Sequence, residues 1–191
     1  GSYSTAPTPT AGTGILGPVS TTFDETKALL SIYNGGNNRI YPQRLGLWVT
    51  VVGTTGTRQD YTFTLDQGNR YSSGGTALVP ANTNMDSINR SGATINFGAL
   101  TTSAAGGSRR LLGNRQVREA AIEVVGDQYV FVFGGADDTN QSTSRVATVS
   151  DFVVGLPPVA IGPGHTLLVH HWRTSIATGV TFEVNFEYVE R

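Results

Sequence analysis

The pattern that constrains this chain most is the strict alternation of residues 181–189, TFEVNFEYV. Its apolar members are Phe182, Val184, Phe186 and Tyr188, and polar residues stand between them. Because a β-strand points successive side chains to opposite faces, the pattern predicts a strand with one buried and one wet face. Residues 60–65, DYTFTL, alternate in the same way. We therefore expect an antiparallel all-β chain, with the 181–189 strand at its centre and Phe186 buried.

Short runs of this kind recur along the chain and are separated by clusters rich in Gly, Asn, Pro and Thr. The expected strands are 27–33, 44–52, 60–65, 77–79, 94–100, 117–125, 128–133, 146–154, 166–172 and 181–189. Two of these runs, 27–33 and 117–125, are also compatible with a short helix. Lys27 is the only lysine and 14% of residues are charged, so exposed helix formers are scarce. The number and spacing of the expected strands predict an antiparallel β-sandwich or jelly roll.

Two turn signals fix local connections. Gly126-Asp127 lies between two apolar runs and predicts a tight hairpin that joins 117–125 to 128–133. Pro163-Gly164 predicts a type II turn, in which the glycine takes a positive φ.

Residues 1–22 carry no charged side chain and contain three prolines. Such a segment cannot form an amphipathic element, and Pro7 and Pro9 favour extended backbone. We expect an extended N-terminal arm over 1–22, followed by one β-sandwich domain over 23–191. The arm is either a disordered terminus or a segment that orders against a partner. In the second case Ile15 and Leu16 are its apolar anchors.

Composition and motifs exclude several functions. The chain has no cysteine and a net charge of −1, which argues against thiolate sites and against a main task of binding nucleic acid. No apolar run approaches the roughly 20 residues of a membrane span. No Gly-x-Ser-x-Gly elbow, P-loop or dinucleotide fingerprint is present. We expect a protein that is not an enzyme and uses no cofactor, with no nucleic-acid or membrane partner.

The polar residues that often bind metals have ordinary explanations here. His170 and His171 are adjacent in a predicted strand, so they face opposite sides and cannot share a ligand. We expect one of these rings in the core and the other on the surface, and no metal site with His165. Asp137 and Asp138 offer oxygen ligands but lack a calcium-loop pattern, so a solvated turn is the simpler interpretation.

Aromatic and arginine residues supply the candidate contact sites. Trp48 lies between Leu47 and Val49, which predicts a core position, whereas Trp172 ends its strand and is the better candidate for an exposed stacking platform. Arginine carries nearly all the positive charge, and protein interfaces favour it over lysine. Arg109 and Arg110 follow a Gly/Ala/Ser run, so we expect them in a flexible loop that contacts a partner.

Residues 156–172, LPPVAIGPGHTLLVHHW, resemble a stretch of the β-sandwich structural proteins of tailed-bacteriophage virions, in which a Pro-Gly turn precedes a Thr/Leu/Val strand. Since the arm lacks the basic charge that neutralises packaged nucleic acid, an accessory shell protein fits better than a packaging capsid subunit. The resemblance thus leaves an accessory shell protein, of the decoration or cement type, or a tail component. Of these we expect a decoration protein on the outer capsid surface of the virion. Its partner would be the major capsid protein, and the protein itself would be a homo-oligomer, with a trimer favoured.

An alternative function is a carbohydrate- or host-receptor-binding β-sandwich associated with a tail. Two features distinguish these functions. A buried Trp48 and an arm that is ordered against a partner favour a cement protein, whereas exposed aromatic rings beside Asn or Asp favour the binding module.

Overall fold

The computed structural model of the chain describes residues 25–52, 59–83, 88–103, 109–118, 124–135, 151–173 and 180–191. These residues form ten strands: β1 (Leu30–Asn34), β2 (Ile40–Val51), β3 (Gln59–Gln67), β4 (Tyr71–Leu78), β5 (Ala93–Thr102), β6 (Arg109–Arg118), β7 (Gln128–Phe133), β8 (Asp151–Leu156), β9 (His165–Arg173) and β10 (Thr181–Glu190). The all-β sandwich expected from the sequence is confirmed. Within the same ranges, no helix is long and apolar enough to cross a membrane.

The strands form two sheets that pack face to face. The six-stranded sheet has the order β4-β5-β1-β9-β3-β6, and all its pairs are antiparallel. The four-stranded sheet has the order β10-β2-β7-β8, and its last pair, β7 with β8, is parallel. A wholly antiparallel arrangement is therefore wrong at this one pair.

The core lies between the sheets and is rich in aromatic rings. Phe131 of β7 packs against Phe63 of β3, with ring centroids 4.8 Å apart, and against Tyr61 of the same strand at 5.1 Å. All three side chains are fully buried, as the alternation of each strand requires. These tilted rings hold the inner faces together, because each one buries a large apolar area.

The alternation of β10 is confirmed, but its central position is wrong. Phe182 is buried and Glu183 exposed, in the predicted sequence of faces. In the described residues β10 pairs only with β2 and forms an edge of the four-stranded sheet. Phe186 is half-buried and packs on the border of the core. The pattern specifies which face is wet, but it does not specify how many neighbours the strand has.

Both predicted turns are present, but only one of the two predictions holds in full. Gly164 has a φ of 74°, and His165 N donates to Gly162 O at 3.1 Å, so the Pro163-Gly164 turn is confirmed. Gly126 also lies in a turn, with a φ of 95°. However, β7 after that turn pairs with β2 and β8, whereas β6 before it pairs with β3 in the other sheet. The predicted hairpin is therefore wrong.

Candidate binding surfaces

The outer face of the six-stranded sheet is largely polar and yet buried, and its apolar exception, Leu168, packs against Ala28 and Leu100. Its side chains from β1, β3 and β9 are almost fully inaccessible: Ser31, Thr62, Thr64, Asp66, Thr166 and His170. An outer sheet face ordinarily meets water and is polar for that reason. Here residues 25–29, which we call the arm root, contact this face at His170, with Glu25 O 3.2 Å from His170 Nε2. Within this layer Thr64 and Thr166 make side-chain hydrogen bonds, to Asp66 and to Gly68 O.

The arm root is built into this sheet by main-chain hydrogen bonds. It precedes β1 in the chain and runs alongside β5, and four main-chain hydrogen bonds hold it. They are Leu29 N to Val169 O at 2.8 Å, Gly98 N to Leu29 O at 2.8 Å, Leu100 N to Ala28 O at 3.1 Å and Thr102 N to Thr26 O at 2.7 Å. Ala28 and Leu29 are buried. Residues 26–29 are therefore fixed in place as an extension of the sheet.

A buried ion pair secures the same region. Arg70 Nη1 lies 2.8 Å from Asp66 Oδ1, and both side chains are only 3% exposed. Arg70 Nε donates to Ser103 O at 2.6 Å, and Thr64 Oγ1 donates to the second Asp66 oxygen at 3.1 Å. Arg70 Nη2 also lies 3.9 Å from Glu25 Oε2. One guanidinium thus connects the arm root with β3 and with the residue after β5.

The outer face of the four-stranded sheet carries a tryptophan. Leu47 and Val49 point into the core, so Trp48 between them points outward and is partly exposed. Its six-membered ring lies over Gly46, where an added Cβ would be 2.8 Å from Cη2 and 3.1 Å from Cζ3. The expected core position of Trp48 is therefore wrong, because strand alternation prevails over the apolar neighbours.

A row of polar side chains on β10 borders this ring. In the ladder between β10 and β2, Glu183 lies opposite Trp48, Asn185 opposite Gly46 and Glu187 opposite Arg44. Asn185 Nδ2 donates to Glu187 Oε1 at 3.1 Å, and Arg44 Nη1 lies 3.2 Å from the same oxygen. The side chains of Arg44 and Glu187 are 37% and 50% exposed. This exposed surface combines an aromatic ring with ordered polar groups. We call it the Trp48 face, and it consists of Arg44, Gly46, Trp48, Glu183, Asn185 and Glu187.

A tyrosine of β10 connects the four-stranded sheet to the segment that precedes β5 of the other sheet. Tyr188 donates its hydroxyl hydrogen to Ser91 Oγ at 2.6 Å, and the Glu190 carboxylate accepts from Gly92 N at 3.1 Å. Burial raises the pKa of Tyr188, the negative charge of Glu190 adds to that increase, and the hydrogen bond to Ser91 opposes it. The neutral phenol is therefore the form that this closure favours.

The predicted arginine contacts lie in a strand. Arg109 and Arg110 begin β6, with their backbones opposite Asp66 and Leu65 of β3. The flexible loop expected at these two residues is wrong, because the ladder with β3 already includes them. Their role as partner contacts stays a prediction.

Other predicted residues lie partly outside the described ranges. Ile15, Leu16 and the Asp137-Asp138 pair belong to stretches that the structure does not describe. For Trp172 the backbone is described, and it lies in β9 opposite Asp60.

The two adjacent histidines face opposite sides, as expected, but both are buried. His171 points into the core and stacks on Tyr61 at 4.7 Å, whereas His170 contacts the arm root. The expected surface ring is wrong because the outer face at His170 is covered. His165 is placed by the turn before it, with Nδ1 2.9 Å from Pro163 O. No group of three or more metal-binding side chains occurs among the described residues.

Comparison of the chain with known protein families, curated proteins and solved structures finds no match. The functional inference therefore depends on the two outer faces. One of them fixes the start of the fold, and the other presents an aromatic ring beside polar groups.

Proposed function

We propose that this protein is a capsid decoration protein, which binds the outer shell of a tailed-phage-type virion and stabilises contacts between capsid subunits. The observation that carries the proposal is the fixed arm root, which is separated from the uncharged residues 1–22 by only two residues, Phe23 and Asp24. A bridging arm transmits force only if its attachment does not yield. Four main-chain bonds and the Arg70 ion pair supply such an attachment.

The proposed mechanism is buried interface. Residues 1–22 have mostly small side chains, and their prolines favour an extended backbone. Such a segment can bind as an additional strand at the sheet edge of a neighbouring protein. Ile15 and Leu16 would anchor the arm, because burial of a purely polar segment contributes little. Ordering the arm costs about 1–2 kcal/mol per residue in backbone entropy, so only a large partner surface can offset it. Many copies on one shell then multiply weak individual contacts through avidity.

The partner in this proposal is the major capsid protein, and the protein acts as a homo-oligomer, with a trimer favoured. Arg109 and Arg110 are the proposed side-chain contacts, because guanidinium groups form forked hydrogen bonds with carboxylates. The mechanism requires no cofactor and no bond-making chemistry.

The test compares two truncations that differ by seven residues. Deleting residues 1–22 should leave the melting temperature nearly unchanged while co-sedimentation with shells that lack the protein falls sharply. Deleting residues 1–29 should also lower the melting temperature, because it removes the buried Ala28 and Leu29 with their hydrogen bonds. A full-length double variant, Ile15→Asp with Leu16→Asp, should bind shells as poorly as the first truncation.

Quantitative mass spectrometry of purified virions provides the second readout. A decoration protein should be present in a fixed ratio to the major capsid protein. Shell binding by the 1–22 deletion at the level of the full chain would refute the bridging role of the arm. Absence of the chain from purified virions would refute the function itself.

A further inference from the structure

We propose that the Trp48 face is a binding site for a neutral carbohydrate. The partly exposed ring beside Asn185 is the feature that the sequence criterion assigned to a binding module instead of a cement protein, so the site is argued separately from the decoration function. It also lies on the other sheet from the arm root. The inference depends on how the ring is held, on which polar groups surround it and on the charge of the surface.

The ring is held as a flat platform. Gly46 has no side chain, so the six-membered ring of Trp48 rests directly on the strand and covers the glycine. The indole remains partly exposed in this position. A flat aromatic face stacks against a pyranose ring, whose axial C–H groups make one side of the sugar apolar.

The groups beside the platform include free donors and acceptors. Within the described residues, neither the Trp48 indole N–H nor the exposed Glu183 carboxylate has a hydrogen-bond partner in the protein. Glu183 lies directly opposite Trp48 on β10, and Gln128 lies opposite it on β7. The hydroxyl groups at the rim of a stacked sugar need this combination of acceptors and donors.

The charge of the face selects the sugar class. Among the described residues of β2 and β10 on this face, Arg44 is the cation and is already paired with Glu187, so Glu183 adds a negative charge beside Trp48. A sugar that carries carboxylate, sulfate or phosphate would be repelled. An apolar peptide is also disfavoured, because the platform is flat and bordered by exposed charges instead of a pocket that would bury its side chains. A neutral sugar is the ligand that fits both features.

The experiment is saturation-transfer NMR on the full-length protein with methyl glycosides of glucose, galactose, mannose and N-acetylglucosamine. Methyl glucuronide serves as the anionic probe. We expect at least one neutral glycoside to bind, with the strongest transfer to the C–H protons of one ring face. Trp48→Ala should weaken that binding at least about tenfold, a loss of about 1.4 kcal/mol.

Gly46→Ala is the sharper variant, because it keeps the indole but displaces its six-membered ring from the position over residue 46. It should weaken binding as Trp48→Ala does, whereas Trp48→Phe should retain part of it. Val51→Ala, at a 53% exposed residue of the same strand, is the matched control and should bind normally. Thermal melts confirm that each variant is folded.

Three results would overturn the proposal. They are binding that Trp48→Ala and Gly46→Ala leave unchanged, binding of the glucuronide alone, and no binding of any neutral glycoside at millimolar concentration. If Trp48→Ala instead abolishes self-association or shell binding, the face is a protein contact and not a sugar site. None of these results alters the arm-deletion test of the decoration function.

Discussion

The outer faces of the two sheets invert the usual relation between polarity and exposure. On the six-stranded sheet, Thr64, Asp66 and His170 are buried although they are polar. On the four-stranded sheet, Trp48 is partly exposed although it is aromatic. Strand alternation places all of these residues on outer faces, so the difference arises from what covers each face.

The contrast is clearest in two arginine–carboxylate pairs. Arg70 with Asp66 is almost fully enclosed and supported by further hydrogen bonds, whereas Arg44 with Glu187 stands in solvent. A buried ion pair holds its two chain segments together, because neither charge can be solvated by water if the pair separates. An exposed pair leaves its groups available to a ligand. The first face therefore suits attachment, and the second suits recognition.

The largest expected effect comes from breaking the enclosed pair. Arg70→Ala leaves the Asp66 carboxylate buried without its ion-pair partner, so the free energy of unfolding should fall by about 3–5 kcal/mol. Arg44→Ala at the open pair should cost about 0–1 kcal/mol. Urea unfolding of both variants measures the difference. Equal losses would mean that the two faces are equally accessible to water.

An intermediate effect is expected from two isosteric threonine substitutions. Thr64→Val removes a buried hydrogen bond to a carboxylate, which should cost about 1.5–3 kcal/mol. Thr50→Val removes an exposed bond to Thr181 O and should cost less than about 1 kcal/mol. Thermal or urea denaturation compares the pair. If Thr50→Val is the more damaging change, the assignment of covered and open faces fails.

The smallest effect concerns Tyr188, where the two sheets close. Its pKa in the folded protein is raised above the unfolded value of about 10. The unfolded chain therefore loses this proton first as the pH rises, and stability falls above pH ~10. Tyr188→Phe lacks this response, although it loses the hydrogen bond to Ser91 at all lower pH values. The stability advantage of the natural protein over Tyr188→Phe should narrow between pH 8 and 11 in urea titrations, and a constant gap would contradict the raised pKa.

The sequence predicts best where one face is apolar and the other polar. β3 and β10 alternate cleanly, and both were located from the pattern alone. β4 is hidden because Gly74 and Gly75 interrupt it with positive φ values of 85° and 66°. β6 is hidden because its sequence, RRLLGNRQVR, has no clear period of two. Pairing was predicted poorly, because the partners of β7 are non-local and no turn signal encodes them.

The same reasoning explains the error at Trp48. An apolar residue on an outer face makes the whole run from Leu45 to Val49 apolar, so the alternation disappears from the sequence. A signal was nevertheless present: Gly46 precedes Trp48 by two residues and shares its face. A glycine at that spacing leaves room for a large ring to lie flat. The covering of His170, in contrast, depends on residues 25–29, which are remote in sequence.

The pairing of β2 with β10 also has a consequence for how the chain folds. It joins Ile40 to Glu190, so the loop closed by this ladder spans most of the domain. Contacts of such long sequence separation form slowly. Until they form, β2 keeps an unpaired edge and the site for Phe182 in the core stays empty. Two chains at high concentration can then exchange their β10 strands, so that β10 of each molecule pairs with β2 of the other. This domain swap produces a dimer that uses the same β2–β10 contacts as the monomer.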